Sequence, residues 1–207
     1  MSREPLRLLA ATSNRGKLVE LRSLLSDLPI EVLSLAEVLP GAPPVVEDGA
    51  TFLDNALLKV RAGAHRSAMV TLAEDSGLEV DALGGRPGVR SARFAREGAT
   101  DAENNEALLA ALADVADDRR QARFRCVMVL HDPRSEAQPI VTEGRCEGRI
   151  GRQPRGAGGF GYDPLFVVED YGRTMAELDE AEKNLVSHRG KAARAMRSSL
   201  EALVARR

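Results

Sequence analysis

Glu74-Asp75-Ser76-Gly77-Leu78-Glu79-Val80-Asp81-Ala82-Leu83-Gly84-Gly85-Arg86-Pro87-Gly88-Val89-Arg90-Ser91-Ala92-Arg93-Phe94 is the stretch that the rest of the chain is organised around. The run Met69-Val70-Thr71-Leu72-Ala73 leads into it and reads as a short buried strand. Two carboxylates follow, then the turn signal Ser76-Gly77. A strand that ends in acid and turns sets a carboxylate at the mouth of a sheet. In open α/β sheets, ligands bind at the carboxyl ends of the strands. Adjacent strand residues face opposite ways, so one of Glu74 and Asp75 points toward a ligand. Asp75, nearer the turn, is the one expected to do so. The competing reading is a solvated acidic turn.

Working outward, the 207 residues are 43% hydrophobic and 29% charged, enough for one domain with a full core, built as two lobes. The formal charge of −2 leaves no general basic field, which disfavours nonspecific nucleic-acid binding. Aromatic residues make up only 3% and Trp is absent, against a stacking platform for single strands. Cys126 and Cys146 form neither a CxxC pair nor a metal spacing, and both lie in strand-like runs. Buried reduced thiols and a cytoplasmic location are therefore expected. The apolar segment 8–11 is too short for the core of a secretory leader, and no segment approaches a membrane span.

Before the central stretch, Leu6-Arg7-Leu8-Leu9-Ala10-Ala11 reads as a first strand. Thr12-Ser13-Asn14-Arg15-Gly16-Lys17 follows, then Leu18, Leu21, Leu24, Leu25 and Leu28 at helical spacing. Small polar residues ahead of a helix offer free backbone N–H groups, and the helix dipole favours an anion there. Asn14 is the candidate cap, with Arg15 and Lys17 adding positive charge. Ordinary capping beside exposed cations is the equal alternative. Residues 31–35 read as a second strand, and residues 40–44 as a loop. Glu47 stands in a loop just before a helix that opens at Thr51, where a hard cation finds a ligand. Plain solvation is the simpler reading of that residue alone.

After the central stretch, Thr100-Asp101-Ala102-Glu103 has the form of a capping box. Residues 114–120 read as a charged loop. Residues 123–130 and 140–150 read as a long antiparallel hairpin, with Glu143, Arg145, Glu147 and Arg149 on a wet face. Gly156-Ala157-Gly158-Gly159-Phe160-Gly161-Tyr162-Asp163-Pro164 lets backbone approach a ligand closely and presents Phe160 for stacking on a planar group. The alternative tucks Phe160 into the core. Lys183, His188 and Arg189 place donors near the start of a final helix. Ser187 is its candidate cap, and Ala192, Ala195, Met196, Leu200 and Leu203 form its apolar stripe. Loops with donors, glycines and acids at strand ends fit a phosphorylated small molecule with a divalent cation.

Seven motifs now stand in order: Ser13-Asn14-Arg15-Gly16-Lys17, Glu47-Asp48-Gly49, Thr51-Phe52-Leu53-Asp54-Asn55-Ala56, Asp75-Ser76-Gly77-Leu78, Gly84-Gly85-Arg86-Pro87-Gly88-Val89-Arg90-Ser91-Ala92-Arg93, Gly158-Gly159-Phe160-Gly161-Tyr162-Asp163 and Ser187-His188-Arg189-Gly190. Over residues 8–203 the set resembles the inosine triphosphate pyrophosphatases, which clear noncanonical purine nucleotides from the pool. The resemblance implies an α/β fold: an elongated mixed β-sheet flanked by helices, in two lobes with an active-site cleft between them. It implies a homodimer that hydrolyses XTP, ITP and dITP to the monophosphate and pyrophosphate with Mg²⁺. It implies that Thr12, Ser13, Asn14, Arg15, Gly16 and Lys17 hold the triphosphate. Glu47 and Asp75 would serve the metal, with Asp75 also the base. Ser76, Phe160, Gly161, Tyr162, Asp163, Lys183, His188 and Arg189 would contact substrate. In one departure, Glu74 stands where bacterial members often carry Asp. Two rivals are a Maf-like pyrophosphatase of different base preference, disfavoured by Ser187-His188-Arg189-Gly190, and a nucleotide sensor without turnover, disfavoured by Asp75, Glu47 and Lys17.

Overall fold

A computed structural model describes residues 4–206. The chain divides into two compact units. One gathers the chain through Asp75, then Val127–Gly144, then the chain from Lys191 onward; the other comprises Ser76–Cys126 and Arg145–Gly190.

In the first unit, β1 (Leu6–Ala10) pairs in parallel with β2 (Ile30–Ser34), Leu8 opposite Val32. It also pairs in parallel with β3 (Thr71–Val80), Leu9 opposite Thr71. A strand flanked on both sides in a parallel arrangement is covered on both faces, which is why Leu8, Leu9 and Ala10 are all buried. Parallel neighbours need crossovers. Helix α1 (Arg15–Leu24) joins β1 to β2, and α2 (Leu35–Val38) with α3 (Phe52–Ser67) joins β2 to β3. α3 begins with a reciprocal capping box between Thr51 and Asp54 and buries Phe52, Ala56, Val60 and Ala64, a four-residue spacing that keeps them on one face.

The turn expected at Ser76-Gly77 is absent. β3 runs on to Val80, with Leu78 and Val80 fully buried. It is an interior strand, with β1 on one side and the strand Gln121–His131 on the other, so a ladder on each side outweighs the local turn preference of Ser-Gly. The chain reverses only at Gly84 and Gly85, both at positive φ.

In the second unit, Leu78, Val80, Leu108, Leu112, Phe124, Ile150, Leu165 and Phe166 form the core. Helix α4 (Asp101–Ala111) starts at the expected capping box of Thr100 and Glu103. Strands β4 (Gln121–His131) and β5 (Ile140–Ile150), whose residues 127–131 and 140–144 belong to the first unit, extend the sheet, and β6 (Phe166–Val168) pairs antiparallel with β5. Glu143, Arg145, Glu147 and Arg149 are exposed, while Cys146 and Ile150 are buried. The stretch read as a charged loop holds a short 3₁₀ turn, Asp117–Arg119, and one fully buried cation. Arg120 donates to the carbonyls of Leu112 at 2.7 Å, Ile150 at 2.9 Å and Gly151 at 3.0 Å, which offsets its desolvation.

Helix α5 (Glu180–Val186) precedes α6 (His188–Ala205). Ser187 caps α6 as expected, accepting from Gly190 N at 3.1 Å. The apolar stripe of α6 is Ala192, Ala193, Met196 and Leu200; Ala195 is exposed, one residue off that face.

Candidate active site

The predicted site residues fall into two groups, one in each unit. In the first, the loop from β1 to α1 builds itself around Asn14. Its side chain accepts from Lys17 N at 3.0 Å, and Thr12 Oγ1 accepts from Asn14 N at 3.2 Å. Ser13, Asn14 and Arg15 are exposed at the N-terminus of α1, while Gly16 is half-buried. The first turn of α1 carries no acid, so nothing there offsets the positive end of the helix dipole. Lys17 turns back to pair with Glu74 at 3.6 Å.

Glu74 and Asp75 are both buried, which rules out a solvated acidic turn. Each has its own cation: Lys17 for Glu74, Lys59 for Asp75. Lys59 Nζ lies 3.1 Å from Asp75 Oδ1 and 2.7 Å from Glu47 Oε2. Burial pushes the Lys59 ammonium down, but the charges of Asp75 and Glu47 outweigh it and hold the group above its ordinary value. Asn55 completes the arrangement. Its amide donates to Asp75 Oδ2 at 3.1 Å, and its carbonyl accepts from Gly49 N at 2.8 Å. One side chain thus ties the loop that carries Glu47 to the carboxylate of Asp75.

The second group surrounds Phe160. The ring is half-buried, with Lys183 Nζ 5.2 Å and Arg189 Cζ 5.5 Å from its centroid. Asp163 is buried; its Oδ2 accepts from Lys183 Nζ at 2.7 Å and from Phe160 N at 3.0 Å. Arg189 is 2% exposed and donates to Ser76 Oγ at 3.2 Å. Tyr162 is buried and donates to Ser91 O at 2.8 Å. Burial, and then the charge of Asp101, push its hydroxyl well above the ordinary value, so it stays protonated as a donor. His188 stacks on Phe124, ring centroids 4.8 Å apart and 16° from coplanar. A side chain at Gly190 would run into the carbonyl of Asn184, so this tight start of α6 needs glycine.

A family model described as the Ham1 family matches residues 8–199. The chain belongs to the Ham1 family. Individual relatives agree. A protein of Desulforamulus reducens named dITP/XTP pyrophosphatase is 51% identical, over 90% of this chain and 92% of its own. A protein of the same name from Escherichia coli K12 is 45% identical, over 94% of this chain and 98% of its own. The solved structure of a HAM1 protein from Coxiella burnetii matches with a TM-score of 0.85 at 42% identity, covering 95% of this chain and 99% of that one. The expected α/β class and mixed sheet with flanking helices are those of Ham1 structural relatives.

Two residues of this Ham1 chain stand at its acidic cluster without a role expected of them from the sequence: Asn55, part of a quoted motif, and Lys59, part of none. They sit four apart on the buried side of α3. A polar pair at that spacing, inside an otherwise apolar helix face, is the signal that marks them. The oxygen donors also fit a hard divalent cation. Glu47 and Asp75 already converge on one positive charge, the Lys59 ammonium. Among the described residues no three His, Cys, Asp or Glu gather as a metal cage. Mg²⁺ does not require one, because it binds through one or two carboxylates plus substrate phosphates.

Proposed function

We propose that this chain hydrolyses the noncanonical purine nucleoside triphosphates XTP, ITP and dITP to the monophosphate and pyrophosphate, using Mg²⁺, as a cytoplasmic homodimer. The observation that carries the reading is the buried Asp75 carboxylate, held by Lys59 and Asn55 in the same unit as a cationic loop at a helix N-terminus. The names of its relatives, dITP/XTP pyrophosphatase, point to the same substrates.

In this reading Lys17 and the backbone N–H groups of the β1–α1 loop receive the outer phosphates. Glu47 and Asp75 would hold Mg²⁺, which supplies neutralisation of phosphate charge. Asp75 takes the proton of the water that attacks the α-phosphorus, and Asn55 keeps its carboxylate oriented. The bond from the α-phosphorus to the bridging oxygen breaks, and pyrophosphate leaves with the electron pair. Phe160 stacks on the base, while Arg189 meets its edge. Cys126 and Cys146 are buried and form no disulfide, which favours a reducing compartment. No helix among the described residues is long and apolar enough to cross a membrane.

The test is a panel of nucleoside triphosphates with Mg²⁺, products separated by chromatography. ITP is expected to yield IMP and pyrophosphate in one step. IDP and orthophosphate as primary products would overturn the assignment, and binding without turnover would make the chain a sensor. Light scattering is expected to give twice the 22.3 kDa chain mass.

A further inference from the structure

We propose that Asp101 and Asn105 of α4 are positioning residues that clamp the glycine-rich loop and aim the Phe160 ring at the nucleobase. The inference rests on the reading above, in which Phe160 stacks on the base. Phe160 sits between Gly159 and Gly161, both at positive φ, in a segment whose glycines leave the backbone otherwise free to swing. Its own N–H is held by Asp163. The peptide that follows it is held from α4, Gly161 N donating to Asp101 Oδ2 at 2.7 Å, and the next peptide is held there too, Gly161 O accepting from Asn105 Nδ2 at 2.9 Å. The amide planes before and after Phe160 are therefore both tied, which sets its φ and ψ. Backbone angles decide which rotamers a side chain adopts, so they set where the ring points.

Asp101 and Asn105 are four residues apart, on one face of α4, and so reach the loop together. Asn105 makes its bond to Gly161 O from a half-buried position on α4. An aspartate in a first helical turn is favourable on any helix. The reach of both side chains to a single residue 60 and 56 positions away is what ordinary capping does not explain.

The test measures ITP hydrolysis, with inorganic tripolyphosphate, which has no base, as competitor. Phe160→Ala sets the scale, raising KM for ITP on the order of 10-fold through lost stacking. Asn105→Ala and Asp101→Ala are each expected to raise that KM roughly 5-fold, with kcat and the inhibition constant of tripolyphosphate unchanged within about twofold, the mark of lost ground-state binding. Asp101→Asn keeps an acceptor oxygen and is expected to restore wild-type KM. In a Phe160→Ala background the α4 substitutions are expected to add nothing, because all act through one ring. Full additivity with Phe160→Ala, or a parallel rise in the tripolyphosphate constant, would overturn the clamp and leave the function standing. Should Asp101→Ala unfold, Asn105→Ala carries the same comparison. Wild type that does not hydrolyse ITP would overturn the functional reading itself, and the clamp with it.

Discussion

Lys59 and Asp75 form a buried ion pair at 3.1 Å, on the side of α3 that otherwise buries Phe52, Ala56, Val60 and Ala64. A desolvated lysine is costly unless it holds something in place. Here its ammonium also reaches Glu47, so two acids from separate segments are fixed against one helix. Lys59→Met keeps the stem and removes the charge. Breaking a buried pair from one side typically costs about 3–5 kcal/mol. The expected outcome is a lower urea midpoint together with a loss of ITP turnover of about 10²-fold or more, as for a misplaced base. Lys59→Arg is not expected to rescue, since a planar fork does not replace a compact ammonium. A Lys59→Met enzyme with wild-type stability and turnover would show that the pair does not organise Asp75.

Asp75→Asn preserves volume and the contact with Asn55 but removes charge and basicity. Turnover should fall about 10²–10⁴-fold for the base alone, and further if a metal ligand is lost. Wild type in excess EDTA should stop, and Mg²⁺ added back should restore it but not Asp75→Asn. Near-normal turnover in either the variant or the chelated wild type would remove Asp75 or the metal from the reaction.

The site residues differ in how far they could be read from residues alone. The β1–α1 loop, its Asn14 cap and the capping boxes at Thr51 and Thr100 are legible because their chemistry is local. Asp75 and Glu47 carry their meaning in residue type and position. Lys59 does not, because a lysine in a helix normally reads as solvated, and only the partners that tertiary packing brings near it say otherwise. Arg120 is hidden for the same reason, a buried cation inside a charged run. Ser76-Gly77 misleads in the opposite sense, a local turn preference overruled by pairing within the sheet.

Glu103 offers a pH test of α4, the helix that carries Asp101. Bonds from the Thr100 backbone, from Arg96 and from the Thr100 hydroxyl lower its carboxyl from 4.5 to about 2. A depressed folded value means that the ionised form stabilises the native state. That contribution is complete above 4.5 and disappears as pH falls through about 2. The urea midpoints of wild type and Glu103→Ala are expected to differ most at neutral pH and to converge at the acid end. A difference that is independent of pH would assign the effect to helix propensity instead.

Base choice is the sharpest question for Arg189. It is 2% exposed, donates to Ser76 Oγ at 3.2 Å and lies beside the Phe160 ring. Stacking on Phe160 accepts any purine, because every base presents a π-face. Discrimination must come from the base edge. Arginine has donors only, which suits the 6-oxo group of hypoxanthine or xanthine and opposes the 6-amino group of adenine. Leaving such groups unpaired gives rejection of up to about 10⁴-fold. Guanine also carries a 6-oxo group, so Arg189 cannot be what rejects GTP. That discrimination has to act at the 2-amino group, through a different contact. Arg189→Ala is therefore expected to narrow the ratio of ITP to ATP hydrolysis, measured as kcat/KM, while leaving the ratio of ITP to GTP unchanged. If all three substrates decline equally, Arg189 serves the phosphates or the fold. If the ITP to GTP ratio moves as well, the same side chain reaches both edges of the base.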